Sequence, residues 1–576
     1  MSAISTPTGP GGAERRRSPR RRVRRRLPLC LAFLACAACS GKSDRHGATG
    51  ETGGTVIIAT GAEPKTLLPP LAANTVEQQI VSQIFDRLAE IGDSLNTVGD
   101  VAFRPRLARK WTWAPDSLSI AFALDPSAKW HDGKPVRAAD VKFSFDLAVD
   151  PATGSPTAPL LANIDSVSTP DSVTAVFWYK RRTPQQFFDA TYQLWIIPQH
   201  LLRAVPHNRL AASPFGRKPV GSGRFRFEEW TPGQRVEIVA DEDNYRGRAN
   251  LDRVVWTVAP DFGAATISLI NGQADFFEAM SPSYIGQLAR NRSLRIVPYP
   301  GLTYGFLGFN LRAADGSPRP HPIFGDRETR RALSMAVDRV RIVQSVFDSL
   351  AYVAYGPNVR ALFPDWAKLR QIPYNPGQAR ALLDSLGWRD ANGDGVRERG
   401  GVKLSFSLLV PTSSGPRLRM AVLLQEQLRT SGVEVKIEQL ELNTFLDRQR
   451  QHLFDAAMGA WQMDPNRATI QQMWGSQGAM PNGSNFSAYE SPTFDAQVDS
   501  ALSTYDPARS RTYWAHAYQT ILDDAPAVWL FEPRLVAGAH RRIKLTGIRA
   551  DGWWVGLADW SIPSRDRIGR DRIGLR

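Results

Sequence analysis

The spacing of apolar residues changes along the chain, and the changes mark out elements. Thr55–Thr60 is an unbroken apolar, β-branched run that stops at Gly61, the pattern of a strand covered on both faces. From Gln78 to Ala89 the apolar residues fall at Ile80, Val81, Ile84, Phe85 and Leu88, a stripe along one side of a helix. Ser117–Leu124 alternates Leu118, Ile120, Phe122 and Leu124, the period of a strand with one face in a core. Helical spacing returns after Ala139, with Val141, Phe145 and Ala148 on one face. Val173–Tyr179 and Val236–Ala240 read as strands. Asp326 stands where an N-cap belongs, ahead of a helix carrying Ala332, Leu333, Ala336, Val337 and Val340. Pro376 opens a helix that Gly387 ends, and a helix over Arg417–Ser431 gives way to a strand over Val433–Ile437. Strands and helices mix without a repeating period, so the expected class is α/β with mixed sheets. A chain of 576 residues is too long for one core and suits two or three such units.

The first 54 residues follow different rules. Nine arginines lie between Arg15 and Arg26, then Leu27–Ala38 is an apolar run of 12 residues, too short to span a bilayer as a helix. Small residues Ala37 and Ala38 precede Cys39, and the chain turns polar at Ser40. This is the layout of a secretory signal with its cleavage point. Residues 1–38 are expected to be the signal peptide and 39–54, rich in glycine, serine and threonine, a flexible tether. A cysteine directly after small residues resembles the lipobox of bacterial lipoproteins, which makes Cys39 the expected lipidation site and the membrane an expected partner through that lipid.

Composition then removes alternatives. The formal charge is +15, but the arginine-rich start accounts for about half of it. The tail carries a tandem repeat, Arg565–Gly569 and Arg570–Gly574, and residues 565–576 are expected to form a disordered basic tail. No basic stripe interleaved with aromatics lies between, so nucleic acid is not an expected partner. All three cysteines, Cys30, Cys36 and Cys39, lie near the start, so nothing later can form a disulfide or a thiolate metal site. Asp390-Ala391-Asn392-Gly393-Asp394-Gly395 resembles the opening of a calcium loop, but its twelfth position is Gly401 where a bidentate Glu is needed, and an exposed Asp/Asn/Gly turn is the better reading. No nucleophile elbow, zinc-protease motif or phosphate loop is present. No catalytic residue, metal or cofactor is expected, and the chain is not expected to be an enzyme.

Ten collinear blocks carry a resemblance. Among them are Arg106–Trp111, Trp130-His131-Asp132-Gly133-Lys134-Pro135 with Ala139–Ser144, Pro219–Phe225, Asn244–Gly247, and Leu251–Val254 leading to Asn271–Asp275. The second half adds Gly308-Phe309-Asn310, Asp326–Arg339, Tyr374-Asn375-Pro376, Leu386-Gly387-Trp388, and Trp461 with Asp464-Pro465. Together they resemble the family 5 extracellular solute-binding proteins of bacterial ABC transporters, which bind peptides, nickel complexes and some sugars. The resemblance implies a two-lobed periplasmic-binding-protein-like fold with a hinge between the lobes and an extra subdomain inserted in the first. Expected boundaries are 55–298 for the first lobe with the insert at 87–219, 299–534 for the second lobe, and 535–564 for a return to the first.

The same resemblance implies a monomer that captures peptides or a peptide-like small solute between closing lobes and delivers it to a permease and ATPase complex. It places the protein in the bacterial cell envelope, outside the cytoplasmic membrane. A surface-tethered hydrolase, or a binding protein repurposed for signalling, are the competing classes. Candidate ligand contacts are Asn74 and Thr75 from the first lobe, and Tyr304, Trp461, Asp464, Trp474 and Asn485 from the second. Dipeptide-binding relatives place an arginine for the ligand carboxylate ahead of the helix at 417. Here that stretch is Pro411-Thr412-Ser413-Ser414-Gly415-Pro416, so Arg417 is the candidate substitute. Those relatives also carry an aspartate for the ligand ammonium shortly after the tryptophan matching Trp461; this chain is shorter there, and Asp464 is either that aspartate or only the Asp of the Asp464-Pro465 turn, so a dipeptide is not the expected ligand.

Overall fold

The apolar run Thr55–Thr60 is the inner strand of a sheet, which explains why it does not alternate. A computed structural model describes residues 52–280, 282–480 and 483–572; the expected signal peptide and Cys39 lie outside them. Of the six strand residues only Ile57 is not fully buried. The strand pairs in parallel with Arg253–Val258 on one side and with Phe276–Phe277 on the other. Arg235–Ala240 and Phe225–Thr231 extend this first sheet antiparallel.

A second sheet is built around Thr303–Phe309, which pairs with Ala456–Gln462; Ser405–Pro411 and Glu434–Leu440 continue it in parallel. The long strand Ala527–His540 belongs to both sheets. Its first residues pair with Thr303–Phe309, and Arg534 to His540 pair with Leu294–Pro300. Gly301 and Leu302 alone separate Leu294–Pro300 from Thr303–Phe309, so the chain passes between the sheets twice at adjacent places.

A third, antiparallel sheet of four strands runs Ala108–Trp113, Ser119–Leu124, Thr174–Tyr179, Ile164–Ser168, backed by the helix Ala138–Val149. The Trp130–Pro135 turn holds strand to helix. Trp130 is buried and its indole N–H donates to Asp140 Oδ2 at 3.3 Å, while the same carboxylate accepts from the backbone N–H groups of Arg137 and Gln199. Asp390 in turn accepts from the backbone N–H groups of Gly393 and Gly395, so that loop is an Asx turn.

Three elements differ from the sequence reading. The helix expected over 78–89 spans Thr75–Ile84: Asn74 and Glu77 form a reciprocal capping box, and Phe85 leaves the helix. The helical stripe through Val340 is two helices, Arg327–Met335 and Arg339–Phe347, because Asp338 caps the second by accepting from Arg341 N–H. Residues 565–572 are not a disordered tail. Asp571 accepts from Thr55 N–H at 2.9 Å and pairs with Arg542, which also pairs with Asp275. A buried guanidinium needs its charge met, and the tail brings the second carboxylate. Among the described residues no helix is long and apolar enough to cross a membrane.

Candidate functional site

Three cavities share walls along the short stretch Asp189–Trp195. Its helix, Gln186–Tyr192, is pinned by Phe187 and Phe188, both fully buried in the core of the inserted sheet. Asp189 and Gln193, one helical turn apart, line a cavity of about 650 Å³ whose other wall is Asp464, Asn466, Thr469 and Gln472 of the second sheet's lobe. Gln193 also lines a small pocket of about 50 Å³ with Tyr192, Trp195 and Arg87. Those last three residues also line a separate cavity of about 350 Å³ against the first sheet. Thr75, Gln78 and Ser82 give this third cavity a polar wall, because they recur on one face of the helix Thr75–Ile84.

The first and third cavities arrange their charges differently: Asp189, Asp464 and Arg181 line the first, while Arg87 lines the third beside three other arginines and four carboxylates. In the first, Asp189 is pushed up to about 7, first by burial and then by the charge of Asp464. Burial also raises Asp464, against the pull of a hydrogen bond from Asn466 N–H at 2.7 Å. Two carboxyl groups in one partly dehydrated space resist double ionisation, and a cation between them relieves both. In the third, Arg87 lies over the rings of Tyr192 and Trp195, at 4.2 and 3.8 Å from their centroids. Its desolvation holds its pKa below the usual arginine value.

The sequence candidates fall into different places. Thr75 and Asp464 line the cavities. Asn74 is the helix cap beside them, its side-chain oxygen accepting from Glu77 N–H at 2.9 Å. Trp461 is half-buried opposite Tyr304 in the strand register, and its indole N–H has no partner among the described residues. Tyr304, Trp474 and Asn485 line none of the three cavities. Trp474 donates to the Tyr304 hydroxyl at 2.8 Å in the buried core, and Asn485 ties its own loop by donating to Gly475 and Tyr489 carbonyls. Polar atoms already paired in a closed core are not offered to a solute. Arg417 is half-buried in the first turn of Gly415–Arg429 and touches none of the three cavities. Sequence reasoning missed Arg87, Asp189, Tyr192, Gln193 and Trp195.

A two-lobed frame joined by crossing strands, with cavities between and beside the lobes, is the architecture of a solute-binding protein. The comparisons agree: residues 102–482 match the model of the bacterial extracellular solute-binding proteins, family 5, and the chain belongs to that family. It is 27% identical to the oligopeptide-binding protein AppA of Bacillus subtilis, covering 88% of this chain and 92% of that one. The structure of that protein in complex with a nonapeptide aligns with a TM-score of 0.64 at 26% identity, over 89% of this chain and 99% of the other. The ABC transporter substrate-binding protein CtaP of Listeria monocytogenes shares the fold with a TM-score of 0.74 at 21% identity, over 89% and 100%.

Proposed function

We propose that the chain captures a peptide or peptide-like solute in the cavities along Asp189–Trp195 and hands it to an ABC permease and ATPase complex. One observation carries this reading: Asp464 of one lobe and Asp189 of the insert face the same cavity of about 650 Å³. An amino terminus placed there satisfies carboxylates from both sides, so binding and lobe closure favour each other. The printed name of the Bacillus relative and its nonapeptide complex support a peptide as the solute. The lobe boundaries at 298/299 and 534/535, with the insert at 87–219, are part of the same proposal, and the strand crossings support them.

Asp464→Asn is the test. It should weaken a free-amino pentapeptide by about 10-fold or more, the scale of a lost charge-assisted hydrogen bond, and leave its N-acetylated form nearly unchanged. Equal losses for both forms would remove Asp464 from the site.

The signal layout ahead of Cys39 supports a mature chain that begins at an acylated Cys39 and is held at the membrane by its lipid, as a monomer. Intact-mass measurement of membrane-extracted protein checks this. An unmodified thiol, or a different first residue, contradicts it.

A further inference from the structure

Four arginines and four carboxylates line the cavity of about 350 Å³. Each carboxylate is already held: Asp86 by Arg246, Glu90 by Arg106, Asp559 by Arg224, and Asp551 by Arg549 at 2.7 Å. Arg87 is the lining arginine left over. No carboxylate lies within ion-pair distance of it among the described residues, and its Nε is buried without a hydrogen-bond partner. The Arg87 Cζ lies 3.8 Å from the centroid of a Trp195 ring and 4.2 Å from that of Tyr192, so both aromatics pack on the guanidinium, and among the described residues no side-chain or backbone acceptor takes its N–H groups. Such a fork, desolvated and pre-oriented by rings, fits a carboxylate in two-point contact.

We infer that Arg87, in the third cavity, is the anchor for a carboxylate of the bound solute, with Asp189 and Asp464 in the first. The inference rests on the peptide reading for the source of that carboxylate, and it gives the site a direction: ammonium toward Asp464, carboxylate toward Arg87. It also supplies the anion contact that the stretch Pro411–Pro416 lacks. The carboxylate can be the terminal one or that of an acidic side chain.

Calorimetric titration of trialanine, its C-terminal amide, and Ala-Glu-Ala amide into wild type and Arg87→Met decides it. In wild type the acid should bind about 10- to 100-fold tighter than its amide, the range of a hydrogen bond to a charged group. In Arg87→Met that ratio should fall to near one, and in Arg87→Lys, which keeps the charge without the fork, it should be intermediate. If Ala-Glu-Ala amide regains the affinity, and only with Arg87 present, the side-chain carboxylate is the group held; if it does not, the terminal one is. A ratio that survives both substitutions, or that disappears instead in Arg417→Gln, overturns the inference. If no peptide binds either protein, the peptide reading fails, and acetate exchanged for chloride at constant ionic strength still tests Arg87. A rise in Tm for wild type that Arg87→Met lacks upholds the anchor, and equal responses overturn it.

Discussion

Asp189 carries an electrostatic cost in the folded, ligand-free protein. Its carboxyl is raised in the folded state to about 7, so the folded protein holds this proton more tightly than the unfolded chain does. Stability therefore declines as pH rises from about 4 to 7, and the cost of the charge is fully present above 7. Asp189→Asn removes that cost. The ligand-free variant should be more stable than wild type at pH 8, on the order of 1–2 kcal/mol after allowing for water in the cavity, and the gap should close by pH 4, as thermal unfolding at the two pH values would show. The variant should also lose affinity for free-amino peptides. No sequence pattern announces these properties. Asp189 is one acidic residue among 56, and what sets it apart is Asp464, 275 positions away in the chain. Asp464 entered as a candidate through the block Trp461 to Asp464-Pro465, and Tyr304 and Trp474 entered because an aromatic that closes a core and one that walls a cleft look alike in sequence.

Among elements, the strands were the most legible, because burial on one face or two writes itself into the chain as alternation or as a continuous run. Thr55–Thr60 has the same limits in structure as in sequence. Helix limits were less so: the end of Thr75–Ile84 and the break at Asp338 depend on caps, which are single hydrogen bonds rather than patterns. The C-terminal segment was misread for a related reason, since its charged repeat has the composition of a solvated tail and its partners lie far off in sequence. Asp571 is buried, which by itself would raise its carboxyl, yet hydrogen bonds from Thr55 and Ile568 N–H groups and the Arg542 charge outweigh this and hold it low. A depressed carboxyl stabilises above the ordinary range near 4 and loses its contribution as pH falls through the folded value. Asp571→Ala leaves Arg542 with Asp275 alone and Thr55 N–H without its acceptor. It should cost on the order of 3 kcal/mol near neutral pH, read as a lower urea midpoint.

For the whole molecule, the two sheets share the strand Ala527–His540, and the neighbouring crossing at Gly301 and Leu302 gives the lobes a common axis. On the proposed reading, closure about it would bring Asp464 toward the insert, so that solute contacts and lobe contacts form together. From the Asp189 end to the Arg87 end the chain takes four helical steps to Gln193 and two more to Trp195, a span on the order of 10 Å. A dipeptide is about 7 Å long and reaches one end only, whereas three to five residues reach both. The central claim, a cleft that takes a peptide by its two ends, is tested most directly by calorimetric titration with di-, tri- and pentapeptides of unmodified termini. The account predicts saturable one-to-one binding of the tri- and pentapeptides and an affinity at least about 10-fold lower for dipeptides, which forgo one charge-assisted contact. Dipeptides that bind as tightly as pentapeptides, or no binding heat from any peptide, would contradict it.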